Sequence, residues 1–595
     1  MTNETRTLRI GQFTGWNGDR ADGIAELLPA DVDVLTGDYL AELTMLVLQK
    51  NRSRGGVGYV RAFLDVLDPH LEEIARRGIK VVTNAGGLDA PGLATAIRAL
   101  CAERGVTLRV AAVDGDDLTA LLTSATDLPL VNIDTGTALP DSARERVLTA
   151  NAYLGAWPIT QALASGADIV VCQRVTDASL VVGPAAWHHG WKPNDLDALA
   201  GAVAAGHIIE CGAQATGGNF SAFAEHGPLG LPGMPLADIA ADGSAVIGKS
   251  PDSGGLVIRD TVLAQLFYEI GGTQYANPDV VVDLTSVTVE DLGGDRVRVS
   301  GARGGPPTGM LKCALTYEGG YRNTMTIGLT GRNLDAKRRW VEEQVHAAIG
   351  PPESFDECRW SMVGPADPHG DFEASTAWLI VTVRDTRRET VDRAHFSAPI
   401  TAIATSNIPG LYLTTPPQRA RSFGVQWPTL VGKDLAVARV LLPDAEPVEV
   451  PWPPAPVAAP ATPVERDDEV VVSPQAPAGP TTRVQLGTVL GTRSGDKAGT
   501  ANIGAWVRDP RGLDWLIATL TSARLTQLMP ELAGLNVTRF VFPNLGGVNF
   551  VVAGYLGDGV AACTRVDPQG KGLGEYLASR LVDVPSGLVD PAPAS

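Results

Sequence analysis

A histidine, a carboxylate and a thiol lie within five residues of one another in Gly206-His207-Ile208-Ile209-Glu210-Cys211. The apolar stretch before them predicts a helix over 198–211, and residues three and four apart on a helix share a face. His207 would then stand beside Glu210 and Cys211, a grouping that can supply a proton-transfer pair and a nucleophile. The run that follows, Gln214-Ala215-Thr216-Gly217-Gly218-Asn219, adds amide side chains and glycines whose N–H groups can face a developing oxyanion. The same residues also make an ordinary core. A free cysteine is most often a small buried hydrophobe, and a His–Glu pair can simply satisfy itself.

A second group is Arg174-Val175-Thr176-Asp177, directly after the apolar run 168–172. An arginine at the carboxyl end of a strand can grip a carboxylate or phosphate with two parallel hydrogen bonds. Thr176 or Asp177 would serve equally well as a helix N-cap. Two further loops follow apolar runs: Gly15-Trp16-Asn17-Gly18-Asp19-Arg20, and Asn84-Ala85-Gly86-Gly87. Glycines ahead of a helix suit an anion, so Asp19, Arg20 and Asn84 join the candidates for substrate binding. Neither loop is a GxGxxG or a P-loop, which argues against dehydrogenase and kinase chemistry. Near the other end, Arg493-Ser494-Gly495-Asp496-Lys497 reads as a loop between strands that binds an anion, meets the rest of the protein, or is merely a solvated hairpin.

Elements that position these residues alternate in the first two hundred positions. Apolar runs at 8–13, 32–35, 79–83, 108–113, 130–133 and 168–172 predict strands, and amphipathic runs at 21–28, 60–77, 93–104, 117–123 and 153–165 predict helices. Such alternation predicts an α/β fold with a doubly wound, largely parallel sheet, which binds ligands at the carboxyl ends of its strands. The stretch 200–440 is less regular, with strands expected at 280–282, 286–289, 296–299, 311–315, 324–329 and 379–383 and a helix at 336–349. Between 443 and 480 there are eleven prolines in 38 residues, a composition that stays extended and builds no core. The expected division is a large α/β unit at 1–442, in one or two lobes, a linker at 443–482, and a small α+β unit of ferredoxin-like type at 483–595. If the linker is only a tether, the two units fold when expressed apart.

The chain's 48 Lys and Arg against 67 Asp and Glu leave a net charge of −19, which repels nucleic acid and anionic membranes. Its six cysteines form no CxxC, and no His/Cys spacing of the usual zinc kind occurs, so neither disulfides nor a metal site is argued. No apolar run approaches the ~20 residues of a membrane span, and the start has no apolar signal core. A cytoplasmic protein is expected.

Taken together, GDRADGIAELL, LTGDYLAELTM, VTNAGGLDAPGLA, NAYLGAWPI, RVTDASLVVGPAAWHHGW and AGHIIECGAQATGGNFS resemble the AtuA family, named for acyclic terpene utilisation. RSGDK, PNLGGVNF and DPQGKGLGEYL resemble its companion AtuA-like domain, so the resemblance spans nearly the whole chain apart from the linker. The chain departs from the family pattern in three places: no Phe-Trp pair precedes GDR, Cys172-Gln173 stands where Thr-Gly is expected before Arg174, and Ala498 replaces a glycine. The resemblance implies a route that degrades geranyl- and citronellyl-type acids as CoA thioesters. It points to an enzyme of lyase, hydratase or hydrolase type acting on a branched or acyclic acyl-CoA, or on the acid itself. In that reading Arg174 binds a carboxylate or phosphate, His207 and Glu210 move protons, and Gln214, Gly217, Gly218 and Asn219 polarise the thioester carbonyl. The rival is a non-catalytic acyl-CoA-binding or scaffold protein of the same route. Expected partners are a small-molecule substrate and further copies of the chain; no cofactor is specified.

Overall fold

The computed structural model describes residues 6–40, 42–125, 127–453 and 479–589. Its first eight strands are β1 (Leu8–Thr14), β2 (Val34–Gly37), β3 (Lys80–Thr83), β4 (Val110–Asp114), β5 (Val147–Ala152), β6 (Ile169–Cys172), β7 (Pro235–Ile239) and β8 (Ala245–Lys249). Five of these run parallel in the order β1-β2-β3-β6-β4. Successive side chains point to opposite faces. Ile169 and Val171 therefore enter one core while Val170 and Cys172 enter another. Helices Ala90–Arg104 and Leu196–Ile209 belong to these two opposed cores, so both faces of the parallel strands are covered.

The sheet is mixed, which corrects the expectation of a largely parallel one. Of its eleven strands, those beyond β1 (β7, β8, Val297–Ser300 and Thr288–Asp291) and beyond β4 (Ala438–Leu441 and Val448–Val450) all pair antiparallel. The β7–β8 link shows why: it has no room for a crossover helix, and a short connection can only join antiparallel neighbours.

Other expected elements move for local reasons. The run 130–133 makes only isolated bridges, because the Asn132 side chain accepts from the N–H groups of Asp134 and Thr135 and closes a turn. The expected helix 60–77 divides into Ala62–Leu67 and Leu71–Arg77 around Pro69. Two expected strands, 311–315 and 324–329, are one strand of 20 residues, Met310–Leu329, whose Gly319-Gly320 pair is a bulge and not a turn. It organises a second, antiparallel sheet with β5, Glu357–Val363, Ala377–Asp385, Leu411–Leu413 and Arg421–Gly432. One end of that strand joins the main core through Leu311, Cys313 and Leu315. The other builds a core of its own around Met325, Val381 and Phe396.

The small domain is a four-stranded antiparallel sheet in the order Leu490–Lys497, Thr500–Val507, Gly547–Ala553, Asn536–Phe542. Its strands alternate strictly. Ala501, Ile503, Ala505 and Val507 face the domain's own helices, whereas Trp506, Phe540 and Phe542 join the core of the large unit. Trp506 stacks on Phe267 with ring centres 5.8 Å apart, and Phe542 meets the same ring edge-on at 5.5 Å. Gly504 makes that possible: a Cβ there would lie 2.5 Å from Cβ of Phe267. The two units therefore share a core at this seam. The middle of the linker, 454–478, lies outside the described residues. Among the described residues no helix is long and apolar enough to cross a membrane.

Candidate functional site

Because β1, β2, β3, β6 and β4 are parallel, the residues that follow them collect along one edge. Asp38 comes directly after β2 and Asn84 directly after β3, and the Asn84 amide donates to Asp38 at 2.7 Å. Arg174, two residues beyond β6 and buried, donates through Nη1 to Asp177 at 2.8 Å and to the Leu40 carbonyl at 3.0 Å. Its guanidinium also lies 4.0 Å from the centre of the Tyr153 ring. Tyr153 in turn donates to Glu42 at 2.9 Å, and Lys312 of the long strand pairs with the same carboxylate at 3.3 Å. Burial opposes the charge on Glu42, yet Lys312 and Arg174 hold it below the usual carboxylate range. Asp38 goes the other way, raised by burial and by the charge of Asp177.

The helix Leu196–Ile209 delivers the second half of the site to this edge. Glu210 is its C-cap and Cys211 lies past its end, so the three residues do not share a continuous helical face. His207 Nδ1 is 3.1 Å from Glu210 Oε1. The end of β1 is bound to the same point: Gln12 donates to the Glu210 carbonyl at 3.1 Å. Gly15 packs so tightly there that a Cβ would sit 2.4 Å from the carbonyl carbon of Cys211. Burial pushes His207 down to about 4, with Lys497 acting in the same sense. Glu210 is pushed well up by burial and by the charges of Asp177 and Glu269. Both shifts favour the uncharged forms. In an uncharged pair a protonated Glu210 would donate to Nδ1, and the ring hydrogen would then sit on Nε2. Nε2 of His207 and Oε2 of Glu210 are buried without a hydrogen bond of ordinary geometry.

Several expected roles change once the neighbours are seen. Cys211 is half-buried, and burial together with Glu210 and Glu269 pushes its thiol well up, which disfavours the thiolate a nucleophile needs. The N–H groups of Gly217 and Gly218 bond back to the carbonyls of Gln214 and Ala213, so they face no oxyanion. Gln214 and the Asn219 carbonyl both accept from Arg493 of the small domain. Arg174 is already neutralised by Asp177, and neither Thr176 nor Asp177 caps the next helix with its side chain. Asp19 folds back on its own loop, accepting from the Gly15 N–H at 3.0 Å, and Arg20 turns away to Asp22 and Glu26. Among the described residues no group of three or more His, Cys, Asp or Glu is arranged to hold a metal ion.

Residues 8–442 match the acyclic terpene utilisation family protein AtuA, and residues 484–583 match the AtuA ferredoxin-like domain. The chain belongs to the AtuA family. No curated protein and no solved structure matches it. In this AtuA chain the ferredoxin-like domain lies against the site, with Lys497 donating to the Glu269 carbonyl at 3.1 Å. Beside the 212–219 turn opens an apolar cleft of about 480 Å³ lined by Gly217, Gly218, Phe220, Phe223, Leu229 and Pro232.

Residues that sequence reasoning missed are Asp38, Glu42, Tyr153, Glu269, Tyr275 and Lys312. Asp38 was within reach, since it follows a strand just as Asn84 and Arg174 do. Lys312 carried no local signal; only the pairing of its strand with β5 brings it to Tyr153 and Glu42.

Proposed function

We propose that this protein is an enzyme of acyclic or branched acid breakdown, acting on a CoA thioester or the corresponding acid by moving a proton, as lyases and hydratases do. The observation that carries this reading is the buried His207–Glu210 pair, 3.1 Å apart, with burial pushing the histidine down and the carboxyl up. Proton transfer through such a pair balances simply. Nε2 hands its hydrogen to the substrate while Nδ1 takes the one held by Glu210, which becomes the carboxylate; the reverse step restores it. The cleft at 217–232 has the size of a small-molecule site, and its apolar lining suits a hydrocarbon chain. Hydrolysis through Cys211 is the less favoured chemistry, because its surroundings oppose the thiolate.

The test is incubation of the full chain in deuterated water with geranoyl-CoA, citronelloyl-CoA, isovaleryl-CoA and the three free acids, followed by mass spectrometry. A proton-moving enzyme writes deuterium into recovered substrate or product, and His207→Ala and Glu210→Gln abolish it. Tight binding with neither product nor exchange across the panel would establish the rival, a carrier or scaffold for acyl-CoA.

A further inference from the structure

The chemistry just proposed needs a positive group at the substrate's acid or thioester oxygen, and the two large-unit cations described above are both paired. Arg174 is held by Asp177, and Lys312 is paired with Glu42. The N–H groups of Gly217 and Gly218 are bonded within their own turn. The small domain supplies what is missing. Its strand Leu490–Lys497 turns every second residue toward the large unit. Gly495 leaves room for Tyr268, since a Cβ would lie 2.1 Å from that ring. Arg493 spreads over Tyr268 at 4.4 Å and donates to Gln214 and to the Asn219 carbonyl. Four residues after Arg493, Lys497 Nζ makes one hydrogen bond, to the neutral Glu269 carbonyl, and no ion pair. It lies 5.8 Å from the Tyr275 ring, which itself lies 5.1 Å from the His207 ring. An ammonium group carries three donors, so two remain to be offered.

We propose that the ferredoxin-like domain completes the active site, with Lys497 as the residue that receives the carboxylate or thioester oxygen of the substrate beside His207. Arg493 is a positioning residue that fixes the strand against the 212–219 turn. The proposal rests on the proton-transfer reading, and one arm of its test is independent of that reading.

That arm is the titration of His207, followed by NMR in the full chain and assigned with His207→Gln. The charged and titratable groups around His207 are Glu210 beside its own helix, Asp177 after β6, Glu269 and Tyr275 of the 268–275 segment, and Lys497 of the small domain. Lys497→Met removes a positive charge, so the midpoint should rise by about one unit. Lys497→Arg should leave it in place, as should Lys192→Met on the exposed surface. If the methionine variant fails to fold, Lys497→Gln, which keeps a donor for the Glu269 carbonyl, gives the same reading. In the second arm, Lys497→Met lowers kcat/KM for geranoyl-CoA by about 10²–10³-fold, with partial recovery in Lys497→Arg. Arg493→Gln should lower kcat with little change in KM, a split that simple loosening of the fold does not produce. An unmoved His207 midpoint, or unchanged kcat/KM in Lys497→Met, overturns the proposal. A wild-type chain inert toward the whole panel sinks the proton-transfer reading instead, and the His207 titration still decides whether Lys497 faces the histidine.

Discussion

In the antiparallel lobe, His346 uses both ring nitrogens: Nδ1 bonds to the Gly350 carbonyl at 3.1 Å, and Nε2 accepts from the Trp360 indole at 3.0 Å. At the edge of the parallel strands, His207 pairs through Nδ1 with Glu210, and its Nε2 is buried without a hydrogen bond of ordinary geometry. A similar contrast separates two buried arginines. Arg144 sits among the backbone carbonyls of Leu122, Ala125 and Leu128, at 2.6 to 3.0 Å, and fastens a loop. Arg174 sits among ionisable side chains, and its charge reaches Asp177, Tyr153, Glu42 and Asp38. Burial alone therefore does not mark a site. What marks it is burial combined with unspent hydrogen-bonding capacity and neighbours that can change charge.

The sharpest way to break this comparison is to remove each histidine in turn. His207→Ala and Glu210→Gln should each cost about 10²–10⁴-fold in turnover in protein that is still folded at the assay temperature. His346→Ala should do the opposite, lowering the melting temperature with full activity retained, because it strands the Trp360 donor. Equal loss of activity in both would erase the distinction.

A second contrast sets Phe267 against Phe396, both fully buried, one at the interface with the small domain and one in the core of the antiparallel lobe. Replacement by alanine should cost about 3–5 kcal/mol in either place by denaturant unfolding. Only Phe267→Ala should also impair turnover at temperatures where the protein stays folded, since it alone loosens the wall that carries Lys497. Normal activity in folded Phe267→Ala would show that the interface is structural only.

The pH dependence is smaller and has a definite sign. His207 is held at about 4, below its ordinary 6.5, so the neutral ring contributes stability above pH 6.5 that is lost as the pH falls toward 4. In His207→Gln that component is missing, and unfolding curves taken from pH 7 down to 4 should decline less steeply than those of the wild type. Parallel curves would mean that the histidine is not buried as described. The smallest effect concerns the turn after Lys497. Ala498 has φ +56°, a left-handed conformation that costs an L-residue about 1 kcal/mol. Ala498→Gly should raise stability by up to about 1 kcal/mol and leave the His207 titration unmoved. A fall in stability would show that the buried methyl group contributes more than the strain removes.

How far the sequence could be read depended on whether each signal was local. The strands that end in Asn84 and Arg174 are short apolar runs followed by polar residues, and the crevice rule for parallel strands brings both to one edge. The His207–Glu210 pair was equally legible, because spacing along a helix decides it. The long strand Met310–Leu329 was not, since a glycine pair that bends a strand looks the same in sequence as one that ends it. Nor could spacing show that Gly217 and Gly218 spend their N–H groups inside a turn. The segment from Arg493 to Lys497 looked like a loop because it is polar. It is a strand whose Arg493 is buried against another part of the protein, a situation that composition cannot distinguish from exposure to water.

The sockets that Gly495 and Gly504 form for Tyr268 and Phe267 also set a timetable. The two aromatic residues leave the ribosome roughly 240 residues ahead of Trp506. At ordinary rates of translation that is on the order of tens of seconds. Throughout that interval the nascent chain carries the ridge of Phe267 and Tyr268 without the glycine sockets that cover it. Such a ridge is what chaperones hold. A product truncated before the hairpin would leave that ridge open to water.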